Sequence, residues 1–321
     1  MTEVLSNAGT QYRVRIGFDR TYNELHLDVA GLAELGTAVL GPAQATYTYA
    51  NVNADVISVD ISRGRSRTTD TTRAGSCALR LLDLDRDYDP ENTSGPYYGD
   101  IAKGRPVIVD FRKTHNHWHE LFTGTIEQIA YTMEHGGYQV AEFVATDALA
   151  ELARQALQAD TAYGAELSGA RVSAILASAT LTNGTSIATG TQSVVARTEP
   201  EGAGILDLLN RVAAAEGGEL FASAAGALTF TQRYANANPV STYSLTPDLA
   251  SVRYSALDLE TAAEVYPQVQ VTDSTGTLQV ARNDLTYVDY TGVLTIDAGE
   301  LLDAAGANAL AQYELAAYGT P

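Results

Sequence analysis

The sequence predicts a β-rich α+β protein in which two tube-like antiparallel β-barrels flank a mixed α/β domain. Residues that alternate between apolar and polar, the period of a half-buried strand, fill the chain up to Ala145. The clearest helical spacing lies in the middle of the chain, and strand patterns return from Leu249 onward. Strands and helices do not alternate regularly, which excludes a doubly wound parallel sheet.

The first part of the chain carries the strand patterns of the first barrel. Its organising stretch is Asp60–Asp110, in which the strands Ser76–Leu84 and Val107–Phe111 flank a turn-rich loop, Asp85–Gly104. Ala30–Gln44 has no clear period and is predicted to be an arm or loop. The other predicted strands are Tyr12–Phe18, Ala45–Ala50, Val56–Ile61, Trp118–Thr125, Gln128–Thr132 and Tyr138–Ala145, the last two joined by a turn at Glu134–Gly137.

The middle of the chain predicts three helices and a hairpin. Asp147 is placed to cap the first helix, and Gly217 with Gly218 ends the third by allowing a left-handed turn. Thr180–Thr198 is predicted to be a loop with a weak strand. The helices are Asp147–Gln158, Arg171–Ala179 and Ile205–Glu216, and the hairpin pairs Glu219–Ala222 with Leu228–Gln232 around a turn at Ala225–Gly226.

The last part predicts strands again, followed by a closing helix, Leu301–Tyr318. The strands are Val252–Leu259, Val265–Val271, Leu278–Ala281, Leu285–Asp289 and Val293–Ile296, with a turn at Ser274–Gly276. The whole pattern divides the chain into an N-terminal arm with first strands (1–50), a first barrel with a closing helix (51–158), a mixed α/β domain (159–248) and a second barrel (249–321).

Composition limits the function classes. Lys and Arg number 20 against 39 Asp and Glu, which gives a net charge of −19 at pH 7. DNA binding by phosphate neutralisation needs a basic face, so the balance argues against it. The charge suits a soluble surface, or a channel through which DNA slides without sticking. The 18 Tyr, against 6 Phe and 1 Trp, favour half-exposed sheet faces and subunit interfaces.

No apolar run approaches the length of a membrane-spanning helix. The N-terminal residues MTEVLSNAGTQ lack the basic and apolar regions of a signal peptide. We therefore expect the chain to be made and kept in the cytoplasm until it joins an assembly.

Two clusters suggest metal ligands. Asp83, Asp85, Asp87 and Asp89 alternate like the oxygen ligands of an EF-hand, but Tyr88 then occupies the glycine position and Ser94 the final glutamate position. His115, His117 and His119 would share one face of a strand, a geometry that zinc accepts, but the sequence places no fourth ligand. We therefore predict neither a metal site nor a cofactor, and leave both clusters as open alternatives.

Catalytic signatures are missing from the sequence. Glu120 and Glu127 are a possible carboxylate pair, but nothing in the sequence fixes their separation. Cys77 has no signalled partner and is predicted to be a small buried hydrophobe. The chain contains no GxSxG, HExxH or Walker motif, so we predict no catalytic residue and no enzyme.

One concentration of basic residues stands out in this acidic sequence. Arg63, Arg65, Arg67 and Arg73 lie on or beside one predicted strand. They can form salt bridges within the chain, or a subunit contact through guanidinium forks. The two interpretations are compatible, and both stay open.

Several separated segments resemble one known family. Asp60–Asp110, with RGRSR and LDLDRDYDPENTSGPYYGDIAKGRPV, resembles the tail-tip hub proteins, often called minor tail proteins, of siphophages that infect actinobacteria. LFTGTIEQI (Leu121–Ile129) followed by VAEFVATDALAELA (Val140–Ala153) resembles the hub's strand-to-helix passage. The helix and hairpin of Ile205–Arg233 resemble the hub's mixed domain, and Val265–Val271 and Leu285–Ile296 resemble strands of its second barrel.

The resemblance extends from about Val56 and implies the hub fold shared by contractile-phage baseplates, type VI secretion spikes and siphophage tail tips. Such hubs place two barrels in each subunit of a trimer, so that a pseudo-sixfold ring matches a hexameric tail tube. The implied partners are the other subunits, a distal tail or tail tube protein, the tape measure protein and a central fibre or spike. DNA would pass through the lumen without specific binding, and the chain would lie in the virion, at the tail tip.

The end of the chain departs from the family pattern. In the hub family further strands follow the helix Leu301–Tyr318 and close the second barrel, whereas this sequence stops at Pro321. Either the sequence is a fragment, or a neighbouring subunit supplies the missing strands, because an open sheet edge would be a pairing liability. Two alternative functions stay open. One is a hexameric distal tail or tube protein, and the other is a carbohydrate-binding or cell-wall-hydrolysing tail module.

Overall fold

A large antiparallel sheet dominates the first half of the chain. The computed structural model describes residues 5–7, 10–22, 45–65, 71–113, 117–133, 139–233, 265–298 and 300–319. The sheet contains eight strands: β1 Leu5–Asn7, β2 Thr10–Tyr22, β3 Ala45–Asn51, β4 Val56–Gly64, β5 Arg73–Leu82, β6 Pro106–Lys113, β7 His119–Met133 and β8 Gln139–Thr146. Their order is β1-β2-β6-β7-β8-β5-β4, and β3 also pairs with β2.

This sheet bends strongly around a single core. Phe18 on β2 and Phe143 on β8 are three strands apart, which across a flat sheet would separate them by roughly 14 Å. Their ring centroids are 6.3 Å apart. Buried residues of β2, β5, β6, β7 and β8 therefore form one cluster, which includes Val14, Leu79, Val109 and Ile126. Register irregularities at Ile16/Asp19 and Ile126/Gln128 assist the bend. No sheet closes into a barrel within the described residues.

Shorter elements follow the large sheet. They are helices α1 Ala148–Ala153, α2 Ser168–Leu176, α3 Ile205–Glu216, α4 Asp284–Tyr287 and α5 Ala304–Tyr318, and strands β9 Thr161–Tyr163, β10 Glu166–Leu167, β11 Thr185–Ile187, β12 Ser193–Val194, β13 Arg197–Glu199, β14 Glu219–Ala222, β15 Leu228–Thr231, β16 Gln268–Thr272, β17 Leu278–Arg282 and β18 Val293–Ile296. The small sheets are β10-β12, β11-β15-β14, β13-β9 and β17-β16-β18.

The chain divides into two compact units. The first contains Met1–Glu151, Thr182–Gly184 and Phe221–Leu228, and the second contains Leu152–Leu181, Thr185–Leu220 and Thr229–Pro321. No helix in the described part of the chain is both long and apolar enough to cross a membrane.

A buried carboxylate organises the second unit. Glu216, the last residue of α3, is fully buried and accepts hydrogen bonds from the hydroxyl of Ser168 at 2.7 Å and from the hydroxyl of Thr191 at 2.7 Å. It also accepts from the backbone N–H groups of Thr191, Gln192 and Arg233. Burial alone would raise the pKa of Glu216, but these hydrogen bonds outweigh it and hold the pKa below its ordinary value. The carboxylate therefore ties three separate segments to the end of α3.

The C-terminal sheet differs from the predicted antiparallel barrel. β16 pairs antiparallel with β17 but parallel with β18. The predicted strand Leu285–Asp289 is wrong, because Asn283 accepts hydrogen bonds from the N–H groups of Leu285 and Thr286 and starts the short helix α4. Helix α5 packs on β16 and β17, where Val269, Val271 and Ala281 are buried.

Most predicted elements are confirmed. Asp147 caps α1 by accepting from the N–H of Leu149 at 3.0 Å, and Gly217 ends α3 with φ 66°. Cys77 is buried, and this burial raises the pKa of its thiol to about 12. The helix predicted to reach Gln158 ends at Ala153, and the closing helix begins at Ala304, where Asp303 caps it. The two strands predicted between Trp118 and Thr132 form the single strand β7.

Some short strands were not predicted, and some predicted elements lie outside the described residues. The short strands β9 and β10 were not predicted, because two or three residues carry no readable period. The arm Ala30–Gln44, the turn Glu134–Gly137 and the strand Val252–Leu259 lie outside the described residues.

We expect Glu216→Gln to lower the free energy of unfolding by about 2–3 kcal/mol, because the new amide turns a donor toward groups that already donate. Urea unfolding at pH 7 would measure this, with the exposed residue Glu201 changed to Gln as the control.

The parent chain and the Glu216→Gln variant also test how stability depends on pH. Because the folded pKa of Glu216 is depressed, its contribution is present above the ordinary value of 4.5 and is lost as the pH falls through the folded pKa. The parent chain should therefore lose its advantage over the Gln variant on acidification. Equal free energies of unfolding for the parent and the Glu216→Gln variant at pH 7 would show that the Glu216 carboxylate contributes nothing to stability.

Candidate functional site: an arginine–tryptophan patch and an acidic loop

The pairing of β2 with β6 brings together arginines that are distant in the sequence. In this register Arg13 lies opposite Asp110, while Val14 lies opposite Val109 on the core side. Because side chains alternate across a sheet, Arg13, Arg15, Asp110 and Arg112 share the outer face. The sequence analysis missed this group, since its members lie on two strands nearly a hundred residues apart.

Asp110 is the anion at the centre of this group. Its side chain is 2% exposed, and its Oδ2 accepts hydrogen bonds from Nε of Arg13 at 2.9 Å and from Nη2 of Arg15 at 2.8 Å. The side chains of Arg13 and Arg15 are 27% and 25% exposed. One buried carboxylate thus holds two guanidinium groups side by side, an arrangement that fixes their geometry.

Aromatic rings complete this face. The guanidinium carbons of Arg13 and Arg112 lie 4.4 Å and 4.7 Å from the centroid of Trp118, within the range of a cation–π contact. Tyr49 on β3 lies 5.6 Å from the guanidinium of Arg15. We call Arg13, Arg15, Asp110, Arg112 and Trp118 the arginine–tryptophan patch.

The charge of this patch is opposite to that of the chain. It contains three guanidinium groups and one carboxylate. The exposed Glu120 lies opposite Asp110 in the register and adds a second carboxylate at its edge. Even so, the face carries a small positive surplus in a chain of net charge −19. Arginine and tryptophan are also the residues most enriched where binding energy concentrates at protein interfaces.

A second feature of the first unit is the loop between β5 and β6. We call residues Asp83–Arg105 the acidic loop. Tyr88 and Tyr97 of this loop enter the core, and the ring of Tyr97 stacks on Phe18 at 4.3 Å. The hydroxyl of Tyr88 donates to Asp55, and the hydroxyl of Tyr131 donates to the carbonyl of Tyr88. These contacts anchor the loop on the bent sheet.

Local hydrogen bonds fix the exposed part of the acidic loop. Arg86 pairs with Asp89, which also accepts from the N–H of Glu91 at 2.9 Å. The N–H of Glu91 and the guanidinium of Arg86 lower the pKa of Asp89, so its carboxylate stays charged. Asn92 donates to the carbonyl of Arg86 at 2.9 Å. The loop is therefore an ordered, negatively charged surface.

The residues considered as calcium ligands do not surround a common point. Asp83 is buried, and its Oδ1 accepts from the N–H of Tyr88 at 3.3 Å. Burial raises the pKa of Asp83, whereas Asp89 is turned to Arg86. Over the described ranges, no group of three or more His, Cys, Asp or Glu side chains has an arrangement that could hold a metal ion.

The other residues that the sequence analysis weighed as candidates are dispersed. His117 and His119 are exposed, His119 packs against Phe111 at 5.5 Å, and His115 lies outside the described residues. Glu127 accepts from the hydroxyl of Thr146, a neighbour on β8. Arg63 donates to the carbonyls of Leu121 and Ala222. Arg65 and Arg73 are exposed, and Arg67 is outside the described residues, so salt bridging and subunit contact both stay open for this group.

Comparison with known proteins places this fold. No protein-family model matches the chain, and no curated protein sequence does. A tail protein from Neisseria meningitidis MC58 is similar in structure, with a TM-score of 0.52 at 12% identity over 96% of this chain and 77% of that one. The 43 kDa tail protein of prophage MuSo2 from Shewanella oneidensis gives a TM-score of 0.51 at 12% identity over 83% of this chain and 73% of that one. The chain therefore shares its fold with phage tail proteins.

We expect Asp110→Asn to lower the free energy of unfolding by about 1–3 kcal/mol, because it leaves two adjacent guanidinium groups without their shared counter-charge. The range is below that of a fully buried pair, since both arginines are about a quarter exposed. Urea unfolding would measure it, and the exposed Glu120→Gln should change stability by less than about 0.5 kcal/mol. Equal effects of the two substitutions would rule out Asp110 as the organising anion.

Proposed function

We propose that the chain is a structural hub protein of a phage tail tip. In this role it joins the hexameric tail tube to a threefold central fibre or spike, and it lines or closes the DNA channel. The observation that carries the proposal is the structural likeness to two phage tail proteins, which extends over 83% and 96% of the chain.

The bent first sheet supports this role. A tube wall needs a sheet that curves around one core. The rings of Phe18 and Phe143 are 6.3 Å apart although two strands lie between β2 and β8, so this sheet has such a curvature. We propose that strands β4 to β8 of this sheet belong to a first hub barrel (51–158), and that the N-terminal arm with first strands (1–50) adds the strands before them to the same sheet. The mixed domain (159–248) follows it, and a second barrel (249–321) would contain the sheet β17-β16-β18.

Assembly follows from two barrels in each subunit. Three copies would present six barrel walls to a hexameric tail tube, while the threefold symmetry suits a central fibre or spike. The proposed neighbours are the other subunits, a distal tail or tail tube protein, and the tape measure protein. The net charge of −19 supports a lumen through which DNA slides without specific binding.

Chemistry is not part of the proposed role. The candidate catalytic residues Glu120 and Glu127 lie on a strand of the bent sheet, where Glu120 is exposed and Glu127 bonds Thr146. We propose a non-enzymatic virion component that is assembled in the host cytoplasm and resides at the tail tip.

Electron microscopy of purified virions tests this proposal. A phage that encodes the chain with a small C-terminal tag is labelled with tag-specific gold, and a phage tagged on its major tube protein is the control. We expect gold at the distal end of the tail only, and particles without the chain should lack complete tails. Label distributed along the tube would indicate a tube protein instead, and label on the capsid or on no particle would overturn the proposal.

A further inference from the structure

The arginine–tryptophan patch and the acidic loop are complementary surfaces on the same chain. The patch presents Arg13 and Arg15, which share one buried carboxylate, and Arg112, which lies against Trp118. The loop presents Asp85, Asp87 and Glu91, which are exposed or half-buried, while its Arg86 is already paired with Asp89. A positive surplus on one surface and a negative surplus on the other is the pattern of a recognition pair.

Within one copy of the chain the two surfaces lie on different sides of the bent sheet. The patch occupies the outer face, opposite the core residues Val14 and Val109. The acidic loop is anchored from the core face, where the rings of Tyr88 and Tyr97 lie 6.0 Å and 4.3 Å from the ring of Phe18. Among the described residues, the hydrogen bonds of Arg13 and Arg15 go to Asp110 and that of Arg112 goes to Gln11, so none joins the patch to the loop. A contact between the two surfaces is therefore left to a second copy of the chain.

We propose that the acidic loop of one copy docks on the arginine–tryptophan patch of the next copy. Such a contact joins two different surfaces, and it generates a closed ring when the rotation between copies closes. The inference rests on the proposed hub for its biological setting, in which copies form a ring, and it names the surfaces that join them.

Both surfaces are organised before they meet. Asp110 holds the guanidinium groups of Arg13 and Arg15, and Trp118 packs against Arg13 and Arg112. On the loop, Asp89 and Asn92 fix the backbone through hydrogen bonds to Glu91 and Arg86. Little side-chain or loop freedom is then lost on docking, which is the condition under which charged contacts give specific association.

The sedimentation of the purified full chain tests the contact. We expect concentration-dependent association at low salt that weakens as salt screens the charges. Arg112→Glu, and separately the double change Asp85→Lys with Glu91→Lys, should each weaken the association constant about tenfold or more. The control for the loop variant is Glu201→Lys with Asp289→Lys. It changes the net charge by the same amount as the two loop substitutions, but at exposed sites elsewhere, and should associate like the parent.

Two further variants sharpen the test. Glu120→Gln removes an exposed carboxylate beside the patch, so it should strengthen association. An equimolar mixture of the Arg112→Glu and the Asp85→Lys/Glu91→Lys chains should regain association, because each mutated surface then finds an opposite charge. Trp118 is the only tryptophan of the chain, so its fluorescence should change on association and not in the monomeric variants.

Thermal unfolding of each variant shows that a loss of association is not a loss of folding. The Asp85→Lys/Glu91→Lys chain is the variant expected to keep the folding stability of the parent, because Asp85 and Glu91 are exposed. The inference is overturned if the parent chain is monomeric at every salt concentration, or if both charge variants associate like the parent. A Trp118 response to a DNA oligonucleotide, without self-association, would also overturn it and assign the patch to nucleic acid. In each of these cases the tail-tip location would stand or fall separately on the microscopy.

Discussion

The bend of the eight-stranded sheet is the constraint on which the rest of the first unit depends. Packing Phe18 against Phe143 requires β2 and β8 to face each other across a shared core, although two strands separate them in the sheet. The bend buries one face of every central strand and turns the other face outward. It also leaves an end at which Tyr88 and Tyr97 can enter the core, and this anchors the acidic loop. The anchoring of the acidic loop is therefore a consequence of the curvature.

Buried carboxylates organise both units of this acidic chain. Asp110 gathers two arginines on the outer face of the first sheet, and Glu216 gathers a hydroxyl-rich segment and several backbone N–H groups in the second unit. A buried charge is tolerated only where partners replace its hydration, so each site fixes its neighbours in one arrangement. Because most of the other acidic residues that the structure describes are exposed or half-buried, a small positive surplus at the arginine–tryptophan patch becomes a distinct local signal against a net charge of −19.

Local sequence signals predicted most of the elements but not their association. Ile205–Glu216 was predicted with its observed bounds, because its apolar spacing is regular and Gly217 stops it. Leu285–Asp289 was misread as a strand, since its apolar residues are largely exposed and Asn283 caps a helical turn there instead. The arginines from Arg63 to Arg73 are close together in the sequence, whereas those of the arginine–tryptophan patch are not. That patch exists only once β2 and β6 pair, and sequence spacing does not encode this register.

The proposed hub role requires three copies of this chain to form a closed ring at a phage tail tip. Native mass spectrometry of the tail-tip complex released from virions measures this directly. The account predicts a subcomplex that contains three copies of the 34.0 kDa chain, bound to tube and fibre proteins. Six copies in a uniform ring, or a single copy released without neighbours, would contradict it.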